Sequence, residues 1–251
     1  MDCIDNLGNC FIIYRAKVEF FLIRFVYSGM VICDAEGFTS EKSTLRKTHK
    51  PDTNGTIKFN NRFLNTDVTL KRTDDPIIRS LYKDAENNEL VWNCHHPKAL
   101  AEIIYNGKTY KGFGYAETLV TPIKPWNLPL DELRWGRFLS DSYTLIWIYW
   151  KGKYPINKIL LNGIEHNNAV FKDDFVIFGN GTYELKFSEI QVIRQGKLSG
   201  LFSKMKLIKI FFNSTILNTI EIKYKAKTTL IKNSVVLSNE WSLFEIVTWG
   251  K

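Results

Sequence analysis

Turn signals recur along this chain roughly every eight to twelve residues, and the apolar runs between them are too short for helices. Asn54-Gly55, Asn106-Gly107, Asn162-Gly163 and Gly179-Asn180-Gly181 are hairpin signals. An Asn-Gly pair accepts the two positive φ angles that a tight hairpin turn imposes. Apolar residues between these signals alternate with polar ones, as at Ile57, Phe59, Val68 and Leu70. A repeat of two places alternate side chains on one sheet face, whereas an amphipathic helix needs a repeat of 3.6. The pattern predicts a dozen or so strands and an all-β barrel or sandwich.

Several segments read clearly. Residues 9–33 are dense in Phe, Ile, Val and Tyr and predict long strands. Leu90–Cys94 and Ala99–Tyr105 read as two separate strands, and Thr109–Tyr115 follows the Asn106-Gly107 turn. Leu145–Trp150 is apolar on both faces, which predicts cover on both. Strands are also expected at 157–161, 170–178, 183–193, 206–212, 217–226, 234–237 and 241–249. Pro76 opening Ile77–Tyr82 suggests a short helix or turn, and Asp131–Leu133 a single helical turn. The chain has 251 residues, enough to bury a full core without staples. It is expected to form one β unit over 1–251, with two packed β-halves of about 1–125 and 126–251 as the alternative.

Aromatic residues make up 14% of the chain, a supply that suits strands and apolar pockets. The formal net charge is +8, but no run of five like charges occurs. Nucleic-acid binders cluster their basic residues, so nucleic acid is not the expected partner. Cys3, Cys10, Cys33 and Cys94 contain no CxxC pair and read as reduced, partly buried thiols. The start, Met1-Asp2-Cys3, has no basic leader, and Val18–Cys33 is interrupted by Glu19 and Arg24. No integral membrane segment is expected, and the compartment expected is the cytoplasm. His95-His96 invites a metal reading, but neighbours on a strand point to opposite faces, so no metal site is expected.

The stretch 111–138 concentrates unusual chemistry. On a strand, Phe113, Tyr115 and Glu117 share a face. If that face is interior, burial raises the Glu117 carboxyl and makes it a candidate general acid. The structural alternative is a salt bridge from Glu117 to Arg134 or Arg137. Prolines 125 and 129 stiffen the backbone around Trp126 into a loop able to cap a barrel mouth. Arg134 and Trp135 are expected to stack. At the C-terminus, Glu245 falls between Trp241 and Trp249 on one face, where a carboxylate is costly unless paired or wet.

Gly112-Phe113-Gly114-Tyr115-Ala116-Glu117, Pro125-Trp126, Arg134-Trp135-Gly136-Arg137, Trp147 and the closing Glu245–Trp249 together resemble a known group. They look like the lipocalin-like proteins related to hydroxyneurosporene synthase, the carotenoid 1,2-hydratase group, which includes AttH-like domains. The resemblance is clearest over about 90–155, with further support at 235–251. It implies an antiparallel lipocalin-like (calycin) β-barrel with an apolar cavity. It also implies binding of terpenoid, polyketide or lipid-like molecules. Some members protonate a carbon–carbon double bond from a buried carboxylic acid. Carried onto this chain, the acid would be Glu117 or Glu245. Tyr115, Trp126, Arg134, Trp135, Arg137, Trp147 and Trp249 would contact the ligand. The chain departs from the group where Gly8-Asn9 follows almost at once, so a first strand is expected to be missing and an edge left open.

The leading expectation is a lipocalin-like protein that binds an apolar small molecule without a cofactor. An acid-catalysed hydratase, isomerase or cyclase in the same cavity is the second. A structural protein with a filled core is the third. Nothing in the sequence sets an oligomeric state.

Overall fold

The computed structural model describes residues 1–20, 23–45, 51–201 and 213–250. The strand expected at 206–212 lies outside them. Among the described residues the chain is almost wholly antiparallel β, in two compact units. The first comprises Met1–Ile78 and Asn93–Thr118; the second comprises Arg79–Trp92 and Leu119–Lys251.

Nine strands make the first sheet: β1 (Asp2–Asp5), β2 (Cys10–Phe20), β3 (Ile23–Cys33), β4 (Thr39–Thr44), β5 (Thr56–Asn61), β6 (Thr66–Arg72), β7 (Ile77–Lys83), β8 (Glu89–Tyr105) and β9 (Lys108–Val120). Their order is β4-β3-β2-β1-β9-β8-β6-β5, with β7 paired to β8. The second sheet holds β10 (Leu130–Leu139), β11 (Thr144–Gly152), β12 (Ile156–Leu161), β13 (Ile164–Asn167), β14 (Val170–Phe171), β15 (Phe175–Phe178), β16 (Tyr183–Lys197), β17 (Ile220–Lys232) and β18 (Val235–Thr248). Its order is β13-β12-β11-β10-β18-β17-β16-β15-β14. The only helices among the described residues are short: a 3₁₀ turn at Pro125–Asn127, α1 (Leu198–Leu201) and α2 (Ser214–Asn218).

One strand order is thus used twice. In each sheet a four-strand meander is followed by a second meander, and the last strand pairs back onto the first. No repeat is visible in the sequence, because the two sheets share connectivity and not residues.

β1 corrects the expectation of a missing first strand. It is present and central, with Cys3 opposite both Phe11 of β2 and Gly114 of β9. It escapes a pattern-based reading because all four of its residues are buried, so no alternation shows. Ile77–Lys83 is a strand rather than a helix, and Asp131–Leu133 lies inside β10 rather than in a helical turn. The expected strand from residue 217 begins instead with α2, whose cap Asn213 accepts the Thr215 N–H at 2.9 Å. The pairs 90–94 with 99–105, and 234–237 with 241–249, are each one continuous strand.

The turn chemistry follows the residues at most positions. Asn106 and Gly107 have φ of 50° and 78°, and Asn162 and Gly163 have 49° and 79°. Both pairs close two-residue hairpins of the type that matches strand twist. Asn54-Gly55 does not, because β4 and β5 lie at opposite edges of the sheet. Two further hairpins close on an aspartate. Asp5 accepts the Leu7 and Asn9 N–H groups at 3.0 and 2.8 Å, and Asp84 accepts those of Glu86 and Asn88 at 2.9 Å.

The first core is mainly aliphatic, built around Ile13, Met30, Leu64, Leu70 and Ile103 with Phe11 and Phe59. All four cysteines are free and buried. Burial, helped by Asp2 and Asp5, pushes the Cys3 thiol far above its ordinary value. The second core is richer in aromatics, with Phe138, Trp147, Phe178 and Phe244 buried among aliphatic side chains.

Candidate functional site

β10 sorts its candidate residues by face. Its even positions, Arg134, Gly136 and Phe138, lie on the face of the second core; its odd positions, Trp135 and Arg137, lie on the other. Arg134 and Trp135 therefore do not stack. Arg134 instead pairs with Glu132 (2.8 Å) and Asp173 (3.3 Å), while Trp135 meets Trp92 edge-on at 5.5 Å. Both faces of β11 are covered, as expected. Trp147 packs in the core, and on the other side Ile146 and Ile148 are buried and Trp150 meets Tyr82 at 6.0 Å.

The core face of the second sheet is layered. At its closed end lie Phe138 and Leu145, with Ala226 and Leu230, all fully buried. The next layer is an aromatic cluster. Phe187 lies 5.7 Å from Trp147 and 5.0 Å from Phe244, and Tyr224 stacks on Phe244 at 4.9 Å. Gly136 makes room for it: a Cβ there would come within 2.1 Å of Trp147 Cζ2 and 2.5 Å of the Phe244 Cβ. The last layer holds Arg134 opposite Tyr149, with Phe171 against Tyr149 at 4.9 Å. Phe187, Tyr224, Tyr149 and Phe171 remain only half-buried. Burial works against the charge of Arg134, but Glu132 and then Asp173 outweigh it and hold the guanidinium protonated. Burial also raises the Tyr224 phenol, with Arg134 opposing and Asp173 assisting.

The opposite face carries the second candidate acid. Glu245 stands across from Trp135 and Lys223 in the ladders. It is in contact with Lys223 Nζ, which also reaches Glu221 at 3.1 Å, and Glu221 in turn pairs with Arg194. Burial pushes the Glu245 carboxyl up, but Lys223, then Arg137 and Arg194, outweigh it and hold it below its ordinary value. Glu245 is therefore a paired carboxylate, suited to accepting hydrogen bonds. The partners missed in sequence, Arg194, Glu221 and Lys223, are spaced so that strand pairing gathers their charges on one face.

Tyr115 and Glu117 sit on β9 in the first unit, two residues apart and on one face, as expected. The buried Tyr115 hydroxyl donates to Glu117. Burial, then the neighbouring Cys94 and Glu117, raise the Tyr115 phenol well above 10. Glu117 is half-buried. Trp126 and Trp249 gather at the Pro125–Asn127 turn of the second unit: the Trp249 indole N–H donates to the Pro125 carbonyl at 3.3 Å, and Lys124 lies over Trp126 at 5.9 Å.

The histidine pair departs from strand alternation. Buried positions along β8 shift from Leu90, Trp92 and Cys94 to Ala99, Ala101 and Ile103, and both histidines at the shift are buried. Their Nδ1 atoms come within 3.3 Å, so the argument that they point apart is overturned. His96 Nε2 faces the Gly55 carbonyl at 3.1 Å, which can only accept, so that nitrogen carries the hydrogen. In the neutral pair His95 Nδ1–H then donates to His96, and the Thr118 hydroxyl donates to His95 Nε2 at 3.2 Å. Among the described residues no three His, Cys, Asp or Glu side chains group as metal ligands. Nor is any helix among them long and apolar enough to cross a membrane.

These two antiparallel sheets, each closed first strand to last, define an all-β protein of lipocalin-like fold. Solved structures bear out the lipocalin-like fold expected from the sequence. Kievitone hydratase from Nectria haematococca superposes with a TM-score of 0.58 at 9% identity, over 98% of this chain and 87% of that one. CghA does so at 0.55 and 10% identity, over 99% and 87%. A candidate AttH from Nitrosomonas europaea does so at 0.57 and 10% identity, over 96% and 86%. The chain thus shares the lipocalin-like fold of these three proteins. No family model and no curated protein matches the sequence itself.

Proposed function

We propose that this protein binds an apolar, ring-bearing or polyene-like small molecule in the aromatic interior of its second unit. The observation that carries the reading is the set of four half-buried aromatics, Tyr149, Phe171, Phe187 and Tyr224, on a core-side face beside Arg134. Aromatic faces left accessible inside a curled sheet are what a flat apolar ligand covers. Of the residues named from sequence, Arg134 and Trp147 belong to this site; Trp135, Arg137 and Glu245 brace the opposite face.

The test is a titration with neutral N-phenyl-1-naphthylamine, whose fluorescence rises in apolar surroundings. The expected result is saturable binding that Phe187→Ala and Tyr224→Ala each weaken by about tenfold, on the scale of one buried aromatic contact. A flat titration at micromolar protein overturns the reading.

A second reading is hydration of a carbon–carbon double bond, favoured by the Tyr115–Glu117 pair and by a structural neighbour that is named a hydratase. Glu117 would deliver a proton to one alkene carbon while water adds to the other and returns a proton to solvent. On any alkene substrate the protein turns over, Glu117→Gln should abolish product; full activity of that variant sinks the acid role.

A further inference from the structure

Arg134 holds more hydrogen-bonding capacity than its protein partners use. Its Nε donates to Glu132 at 2.8 Å, and its Nη1 to Asp173 at 3.3 Å and the Lys172 carbonyl at 3.4 Å. Nη2 has no partner among the described residues. A guanidinium presents five donors in a planar fork, and the Nη1–Nη2 edge, once Asp173 yields Nη1, matches a two-oxygen anion. The side chain is 22% exposed, so it is anchored but reachable, and it stands among Tyr149, Phe171 and Tyr224.

The two carboxylates that hold it differ. Glu132 is on the same strand and its side chain is 26% exposed, whereas Asp173 lies in the turn between β14 and β15 and is 93% exposed. An ion pair with so exposed a partner is weakly held and readily exchanged. Glu132 sets the direction of the fork; Asp173 occupies a position that another anion can take.

We infer that Arg134 recognises an acidic head group on the ligand, and that the second unit takes an amphiphile with a flat apolar body and one carboxylate-like anion, which displaces Asp173. This rests on the aromatic interior being the ligand site. The body covers Tyr224, Phe187 and Tyr149, while the anion meets Nη1 and Nη2 at the rim.

The experiment compares two probes that differ only in the anion: 8-anilino-1-naphthalenesulfonate and its neutral parent, N-phenyl-1-naphthylamine. Wild type should bind the sulfonate about tenfold more tightly than the parent, the scale of one charge-assisted fork contact. Arg134→Gln should erase that difference, bringing the affinities for the two probes together. Asp173→Asn should strengthen sulfonate binding about threefold, because the competing carboxylate is gone, and leave the parent unchanged. If Arg134→Gln does not fold, as judged by circular dichroism, Asp173→Asn decides. Equal affinities for the two probes in wild type, or sulfonate binding insensitive to both substitutions, would show that Arg134 only braces the turn; the aromatic site then stands without its anion. Binding of neither probe removes the site and this inference together.

Discussion

In the first unit the strand that joins the two meanders is four residues long; in the second it is ten. Asp2–Asp5 meets the last strand only across Gly112–Tyr115, whereas Glu132–Phe138 runs along Ser242–Thr248. The interiors differ with it. The first holds aliphatic side chains with Phe11 and Phe59, the second aliphatic side chains with Phe138, Trp147, Phe178 and Phe244. One connectivity therefore supports two differently composed cores, and side-chain choice at alternating positions decides between them. Folds of this kind carry function in the site and not in the topology.

The sharpest way to break this contrast is at the acidic pairs. Glu245→Gln leaves Lys223 with Glu221 alone as counter-charge and should cost about 3 kcal/mol. Glu117→Gln keeps an acceptor for Tyr115 and should cost about 1 kcal/mol. Equal losses in chemical denaturation would mean that the two carboxylates are held alike.

Next come the glycines beneath aromatic rings. Tyr14 covers Gly29 in the first unit as Trp147 covers Gly136 in the second, with a Cβ at Gly29 falling 2.3 Å from Tyr14 Cε2. Tyr14 is half-buried and can move aside, but Trp147 is locked. Gly136→Ala should therefore cost about 2–3 kcal/mol and Gly29→Ala about 1 kcal/mol. The thermal midpoints of the two variants report the order, and a reversal would place the tighter packing in the first unit.

Acid should strike the first unit through His96. Burial holds His96 below its ordinary value of 6.5, with Arg72 adding to the effect. The unfolded chain then binds the proton first, so stability falls as pH drops below about 6.5 and is retained above it. His96→Gln should flatten the fall in midpoint between pH 7 and 5; an unchanged slope would place the acid sensitivity elsewhere.

The smallest effect concerns the corresponding hairpins. β8 and β9 turn on Asn106-Gly107, but β17 and β18 turn on Asn233-Ser234, with φ of 46° and 67°. A serine with positive φ is strained. Ser234→Gly should raise stability by about 0.5 kcal/mol, seen as a small upward shift in midpoint.

Much of this architecture is legible in the residues. Asn106-Gly107 and Asn162-Gly163 announce hairpins because few other residues accept those angles, and approximate period-two alternation marks β5 and β6, with Phe63 exposed between them. β1 is hidden because burial on both faces erases alternation. The histidine contact is hidden because a shift of one residue within β8 leaves no mark in composition. At the site, Arg134 and Trp147 stand out in the sequence, and the fold sets both on one interior face. Their aromatic partners Phe187, Tyr224 and Phe244 come from 40 or more positions downstream and join them only through the pairing of β10 with β18. Pairing between distant strands is the information that one sequence states least.

That same pairing governs how the chain can be made. Gly136 and Phe244 face each other across the closing ladder but emerge from the ribosome roughly a hundred residues apart, a high contact order for a unit of this size. Until β18 arrives, β10 and β17 each present an unsatisfied edge, and Trp147, Phe187 and Tyr224 lie uncovered. Those aromatic residues are, during synthesis, the second unit's principal exposure to aggregation.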